Sequence, residues 1–227
     1  MKNVFFCHIP KTGGRYFWAN TFRMVNHDYL TKIGQYNGVI AAPGNDHLSA
    51  NLIDNLDDSL SFGILREPVS RTVSHWCHLH RYQFNTKPTK DEFLEYMESD
   101  NSNIMLDYQT KFLSFTEHSG YISIETEFSE VSATEQSYTL AVQRLSKLTY
   151  VLKMEDMTPD DLLRYRNIIY SFLGMQSNYK GVKVNLDYAK SDWSTDVYKS
   201  LSHSEKSLLA SRMPYDVRLY NNTSYVC

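Results

Sequence analysis

The chain is poor in cysteine, has no long apolar run and carries little excess charge, and each absence removes a class of protein. Cys7, Cys77 and Cys227 are its only cysteines. So small and odd a number gives no disulfide framework and fits a reducing compartment. Cys7 lies in an apolar stretch and Cys77 in a helix-like one, so both read as buried thiols. No apolar run comes near the roughly 20 residues of a membrane-spanning helix. The first apolar segment begins at once, leaving no room for a signal peptide. A cytoplasmic protein without membrane contact is expected. The net charge of −3 argues against general nucleic-acid binding. Repeats, low-complexity tracts and linker-like stretches are also missing. The 227 residues therefore read as a single domain, 1–227, with room for a substantial core.

Aromatics are plentiful, with 17 Tyr and 11 Phe. A thick core is the plainer reading and a sugar-stacking cleft the other. Hydrophobic patterning predicts strands at 3–8, 38–41, 60–65 and 149–153. Helices are predicted over 14–26, 48–56, 68–82, 89–98, 103–115, 135–147 and 158–173, with a loop to about 203 and a helical end. Strands alternating with helices imply an α/β fold, a central mainly parallel sheet flanked by helices. Thr158-Pro159-Asp160-Asp161 is a helix start with a capping threonine and proline in the first turn. Residues 120–134 alternate in part and suit a hairpin, a flap or a plain surface loop.

Two segments carry chemistry. The first fourteen residues read MKNVFFCHIPKTGG, an apolar strand that stops at Pro10 before Lys11-Thr12-Gly13-Gly14 and a helix. A strand entering a helix through a glycine turn aims main-chain N–H groups and a positive dipole end at one spot. With Lys11 and the Thr12 hydroxyl added, that spot suits a phosphate-like anion. The nucleotide P-loop pattern GxxxxGK[ST] is missing, because the lysine precedes the glycines. The second segment is Leu65-Arg66-Glu67-Pro68-Val69-Ser70-Arg71-Thr72-Val73-Ser74. An apolar strand again ends in a charged turn, and Pro68 suits a first helical turn. Ser70 and Ser74 share a helix face, so a hydroxyl can sit near the Arg66 guanidinium. Two anion sites, each at the carboxyl end of a strand, fit a ligand charged at both ends.

Together these segments resemble the sulfotransferases that use 3′-phosphoadenosine 5′-phosphosulfate (PAPS), with the carbohydrate O-sulfotransferases, such as the heparan sulfate 2-O- and 6-O-enzymes, nearest in pattern. Weaker echoes follow in order: Gln109-Thr110-Lys111-Phe112-Leu113, the strand Tyr150-Val151-Leu152 leading to Glu155, and Asp216-Val217-Arg218-Leu219-Tyr220. The resemblance implies a P-loop-like three-layer domain. It implies that Lys11, Thr12, Gly13 and Gly14 grip the 5′-phosphosulfate and that Arg66 and Ser74 grip the 3′-phosphate. Lys180 and Lys183 then resemble a late PAPS-binding loop, and a carbohydrate hydroxyl becomes the expected acceptor. Residues 120–134 would be an insertion near the acceptor cleft. The bare domain, unlike the Golgi-anchored animal enzymes, suggests a bacterial or viral source.

Sulfuryl transfer needs charge stabilised on the leaving phosphate, an acceptor held in line and its proton removed. Lys11 suits the first task. His47, in Asp46-His47-Leu48-Ser49, suits proton removal near neutral pH and matches the place of a catalytic histidine in the 2-O-enzymes. Asp46 reads as a helix cap, and His8 is the other candidate base. Arg71 reads mainly as a packing or ion-pairing residue. His75, Cys77, His78 and His80 give no clean tetrahedral metal set, so no metal is expected. The competing readings are a P-loop nucleotide kinase, disfavoured by the missing GK[ST], and a nucleotide- or glycan-binding protein without catalysis.

Overall fold

A computed structural model describes residues 4–21, 39–41, 50–56, 59–115, 131–174 and 192–223. Within them β1 (Val4–Cys7), β2 (Val39–Ala41), β3 (Leu60–Leu65) and β4 (Tyr150–Lys153) form one sheet in the order β2-β1-β3-β4. Every neighbouring pair is parallel. The runs VFFC and LSFGIL are buried throughout, as strands covered on both faces require.

Side chains alternate between two cores. Val4, Phe6, Phe62, Ile64 and Leu152 face one cluster, which α1 (Gly14–Asn20) and α6 (Pro159–Phe172) close through Phe17, Leu162, Tyr165 and Ile169. Phe5, Cys7, Leu65 and Val151 face the other. There α2 (Pro68–Phe84), α3 (Lys90–Glu98), α4 (Tyr108–Ser114) and α5 (Glu135–Lys147) pack with α7 (Asp192–Ser200), α8 (His203–Ser211) and α9 (Pro214–Asn222). The result is the expected α/β sandwich of helices, parallel sheet and helices. Cys7 and Cys77 are buried free thiols, and burial raises each to about 12.

Four element expectations are corrected. The helix over 14–26 ends at Asn20, where Thr21 leaves helical geometry. The helix over 48–56 is a 3-10 helical turn, Ala50–Asn55. The helix over 103–115 is split into a 3-10 turn, Asp100–Ile104, and α4, because Asp107 adopts a left-handed φ of 47° between them. The loop to 203 contains α7, whose Val197 is buried together with Leu201 just past the helix end. Most of the 120–134 segment lies outside the described residues. At α6 the sequence reading holds, since the Thr158 hydroxyl and the Asp161 carboxylate form a reciprocal cap with Pro159 in the first turn. Among the described residues no helix is long and apolar enough to cross a membrane.

Candidate active site

β1 delivers the chain into a turn with two left-handed residues, Lys11 at φ 67° and Gly13 at φ 86°. Gly13 has a second reason to lack a side chain, because a Cβ there would lie 2.1 Å from the Met154 sulfur. A Cβ on Gly14 would lie equally close, 2.1 Å, to the His8 ring. That ring is buried and stacked on Phe6, so His8 packs the underside of the loop. The Thr12 hydroxyl donates to the Ile9 carbonyl at 2.8 Å; its proton is used to close the turn. No side chain caps the start of α1.

The second turn is built differently. Glu67 caps α2, its carboxylate accepting from Val69 N–H at 3.1 Å and Ser70 N–H at 2.7 Å. These two first-turn amides are thus already occupied, and the cationic character of this turn comes from Arg66. Its Nε donates to Ser70 Oγ at 3.0 Å and its Nη1 to the Lys11 carbonyl at 3.2 Å. Glu155 stands 3.9 Å from the same guanidinium and accepts from Glu67 N–H and the Tyr220 hydroxyl. Ser74 lies one helical turn beyond Ser70, half-buried. The hydroxyl at Arg66 is therefore that of Ser70.

Charge gathers where the two turns meet. Burial, then Arg15, Arg71 and Arg66, lower the Lys11 ammonium to about 7. Burial, then Lys11, Arg15 and Arg81, lower His78 to about 4, so its ring is neutral near pH 7. Burial is the larger cause for both groups, and the cations that add to it, Arg15 for both, mark a concentration of positive charge of the kind an anion site needs. Arg71 is fully buried. It donates to the carbonyls of Pro10 and Met105, bonds the His75 ring and lies over Tyr108. It is a packing residue behind the turn that carries Lys11.

Comparison with known protein families matches residues 1–225 to the sulfotransferase family. The chain belongs to that family. Comparison with curated proteins and with solved structures gives no significant match.

In this sulfotransferase the structure brings Lys11, Thr12, Gly13, Gly14 and Arg66 into one region, joined by the Arg66–Lys11 bond. His47, Lys180 and Lys183 lie outside the described residues. Among the described residues no cluster of histidine, cysteine and carboxylate side chains is placed to hold a metal ion. The sequence reading missed what stands behind the site. Gln109 grips the Arg66 main chain, its Oε1 accepting from Arg66 N–H and its Nε2 donating to Arg66 C=O, both at 2.9 Å. Asp216 accepts from Gln109 N–H, Thr110 N–H and the Thr110 hydroxyl. The two weaker sequence echoes, around Gln109 and Asp216, thus touch each other. His78 lies one turn beyond Ser74 on α2.

Proposed function

We propose that this sulfotransferase moves the sulfuryl group of PAPS to a hydroxyl of a carbohydrate acceptor. The observation that carries the reading is the convergence of Lys11, Arg15, Arg66 and Arg71 around a loop whose following helix has no side-chain cap. Lys11 would donate to the bridging oxygen as charge grows on the leaving phosphate. The start of α1, with Gly13 and Gly14, would hold the phosphosulfate end. Arg66, with Ser70 beside it and Ser74 one turn on, would hold the 3′-phosphate, displacing the weak Glu155 contact. Lys180 and Lys183 are proposed as further donor-binding residues. His47 is the proposed base, and the acceptor proton passes to its ring as the oxygen–sulfur bond forms and the sulfur–oxygen bond to the phosphate breaks. A sulfuryl group carries less negative charge than a phosphoryl group, so side-chain cations suffice for the charge that develops. Family membership favours this over the nucleotide-kinase reading.

Calorimetric titration with adenosine 3′,5′-bisphosphate tests the donor. Binding without magnesium is expected, and binding only of ATP with magnesium would overturn the reading. Turnover on a panel of glycans tests the acceptor: donor binding without turnover on any glycan would favour the non-catalytic alternative or another acceptor class.

A further inference from the structure

We propose that Gln109 and Asp216 are positioning residues that hold Arg66 in the orientation needed to bind the donor; this rests on the reading that Arg66 grips the donor's phosphate. The sheet ends one residue too early to do this by itself. Its last pair is Leu65 with Lys153, so Arg66 begins the turn. The Gln109 carboxamide supplies what a neighbouring strand would have supplied, one acceptor and one donor to the same residue. Two bonds to one residue fix its rotation as well as its position. Gln109 is itself fully buried, so its amide has no water to turn towards.

Gln109 is held in turn by a costly device. Neither α4 nor α9 has a local side-chain cap. The two helices cap each other instead. Asp216, in the first turn of α9, accepts from Gln109 N–H at 3.1 Å and Thr110 N–H at 2.8 Å. Asp107, at the start of α4, accepts from Asp216 N–H at 2.8 Å. A serine or threonine beside each helix would satisfy these amides without burying two carboxylates. What the exchanged caps add is a fixed place for the first turn of α4. That turn serves both halves of the site. Gln109 reaches Arg66, while Tyr108 lies 3.9 Å beneath the Arg71 guanidinium, which bonds Pro10 of the phosphate loop.

The test is a double-mutant cycle on the full chain, with adenosine 3′,5′-bisphosphate affinity measured by calorimetry. Gln109→Met keeps the volume and removes both bonds. It is expected to weaken binding about tenfold in the wild type and less than about twofold beside Arg66→Ala, because the residue acts through Arg66. No loss, or the same loss in both backgrounds, overturns the proposal and leaves the donor reading standing. An unchanged affinity in Arg66→Ala alone overturns both. Should Gln109→Met fail to fold, Asp216→Asn takes its place in the cycle. The same non-additivity is then expected, and additive losses overturn the proposal.

Discussion

Lys11 combines a left-handed backbone, partial burial and three arginine neighbours. Little in such surroundings stabilises its charge until an anion arrives. Lys11→Ala is therefore expected to lower turnover by about a hundredfold or more while leaving the thermal midpoint unchanged or raised. Steady-state rates and a melting curve check this together. The pH dependence follows from the same residue. The ammonium of the free enzyme is lowered to about 7, and an anionic donor favours the charged form. Donor affinity should then fall as pH rises through 7, by up to about tenfold per unit until the pKa of the complex is reached. Calorimetry from pH 6 to about 9 would show the slope, and Lys11→Met should lose it. Gly13 gives a third expectation. Its positive φ and the Met154 contact mean that Gly13→Ala should cost about 1–3 kcal/mol in urea unfolding and weaken donor binding. At this scale Lys11, Gly13 and Arg66 were legible because they stand next to strand ends. Which serine meets Arg66 was not, because the choice between Ser70 and Ser74 depends on how the guanidinium turns towards Lys11.

Among the elements, α4 and α9 differ most from what local sequence dictates. Asp107 interrupts a helix-like run because its side chain is needed at α9, and nothing within ten residues announces that partner. Burial, then the Asp216 carboxylate, raise Asp107 to about 7. A carboxyl raised in the folded state stabilises the fold while protonated, and this contribution is lost as pH rises from about 4 through 7. Asp107→Asn keeps an acceptor for Asp216 N–H without that loss. Its stability relative to the wild type should be greater at pH 8 than at pH 5, as urea unfolding at both values would show. By contrast α6 was fully readable, since its cap, proline and acids are all contiguous. α7 was hidden for a different reason: its apolar residues are few, and Val197, with Leu201 just past the helix end, gains its burial from packing in the larger core.

Over the whole molecule the parallel sheet was legible because β1 and β3 are apolar on both faces, a pattern that half-exposed strands do not show. Long-range polar ties were not. Arg144 on α5 is 2 % exposed and donates to the carbonyls of Leu113 and Phe115 and to Asp54. It joins α5 to the end of α4 and to the turn at Ala50–Asn55. Its Asp54 partner is held below the usual carboxylate range, first by this hydrogen bond, so the tie's full contribution is present above that range and is lost as pH falls from there through the lowered value. Arg144→Met removes the donor to two carbonyls and leaves Asp54 to Lys147, and a loss of about 3 kcal/mol in urea unfolding is expected.

The bond from Arg66 to the Lys11 carbonyl joins the two charged turns through a single side chain of fixed covalent length. On the proposed donor reading the site is a gauge. Molecules with one anionic group would occupy either end, but only a spacer of the right reach between two such groups would gain from both at once, as a chelate does. Inorganic phosphate and pyrophosphate should on that account compete far less well than a nucleoside bisphosphate, however similar their charge.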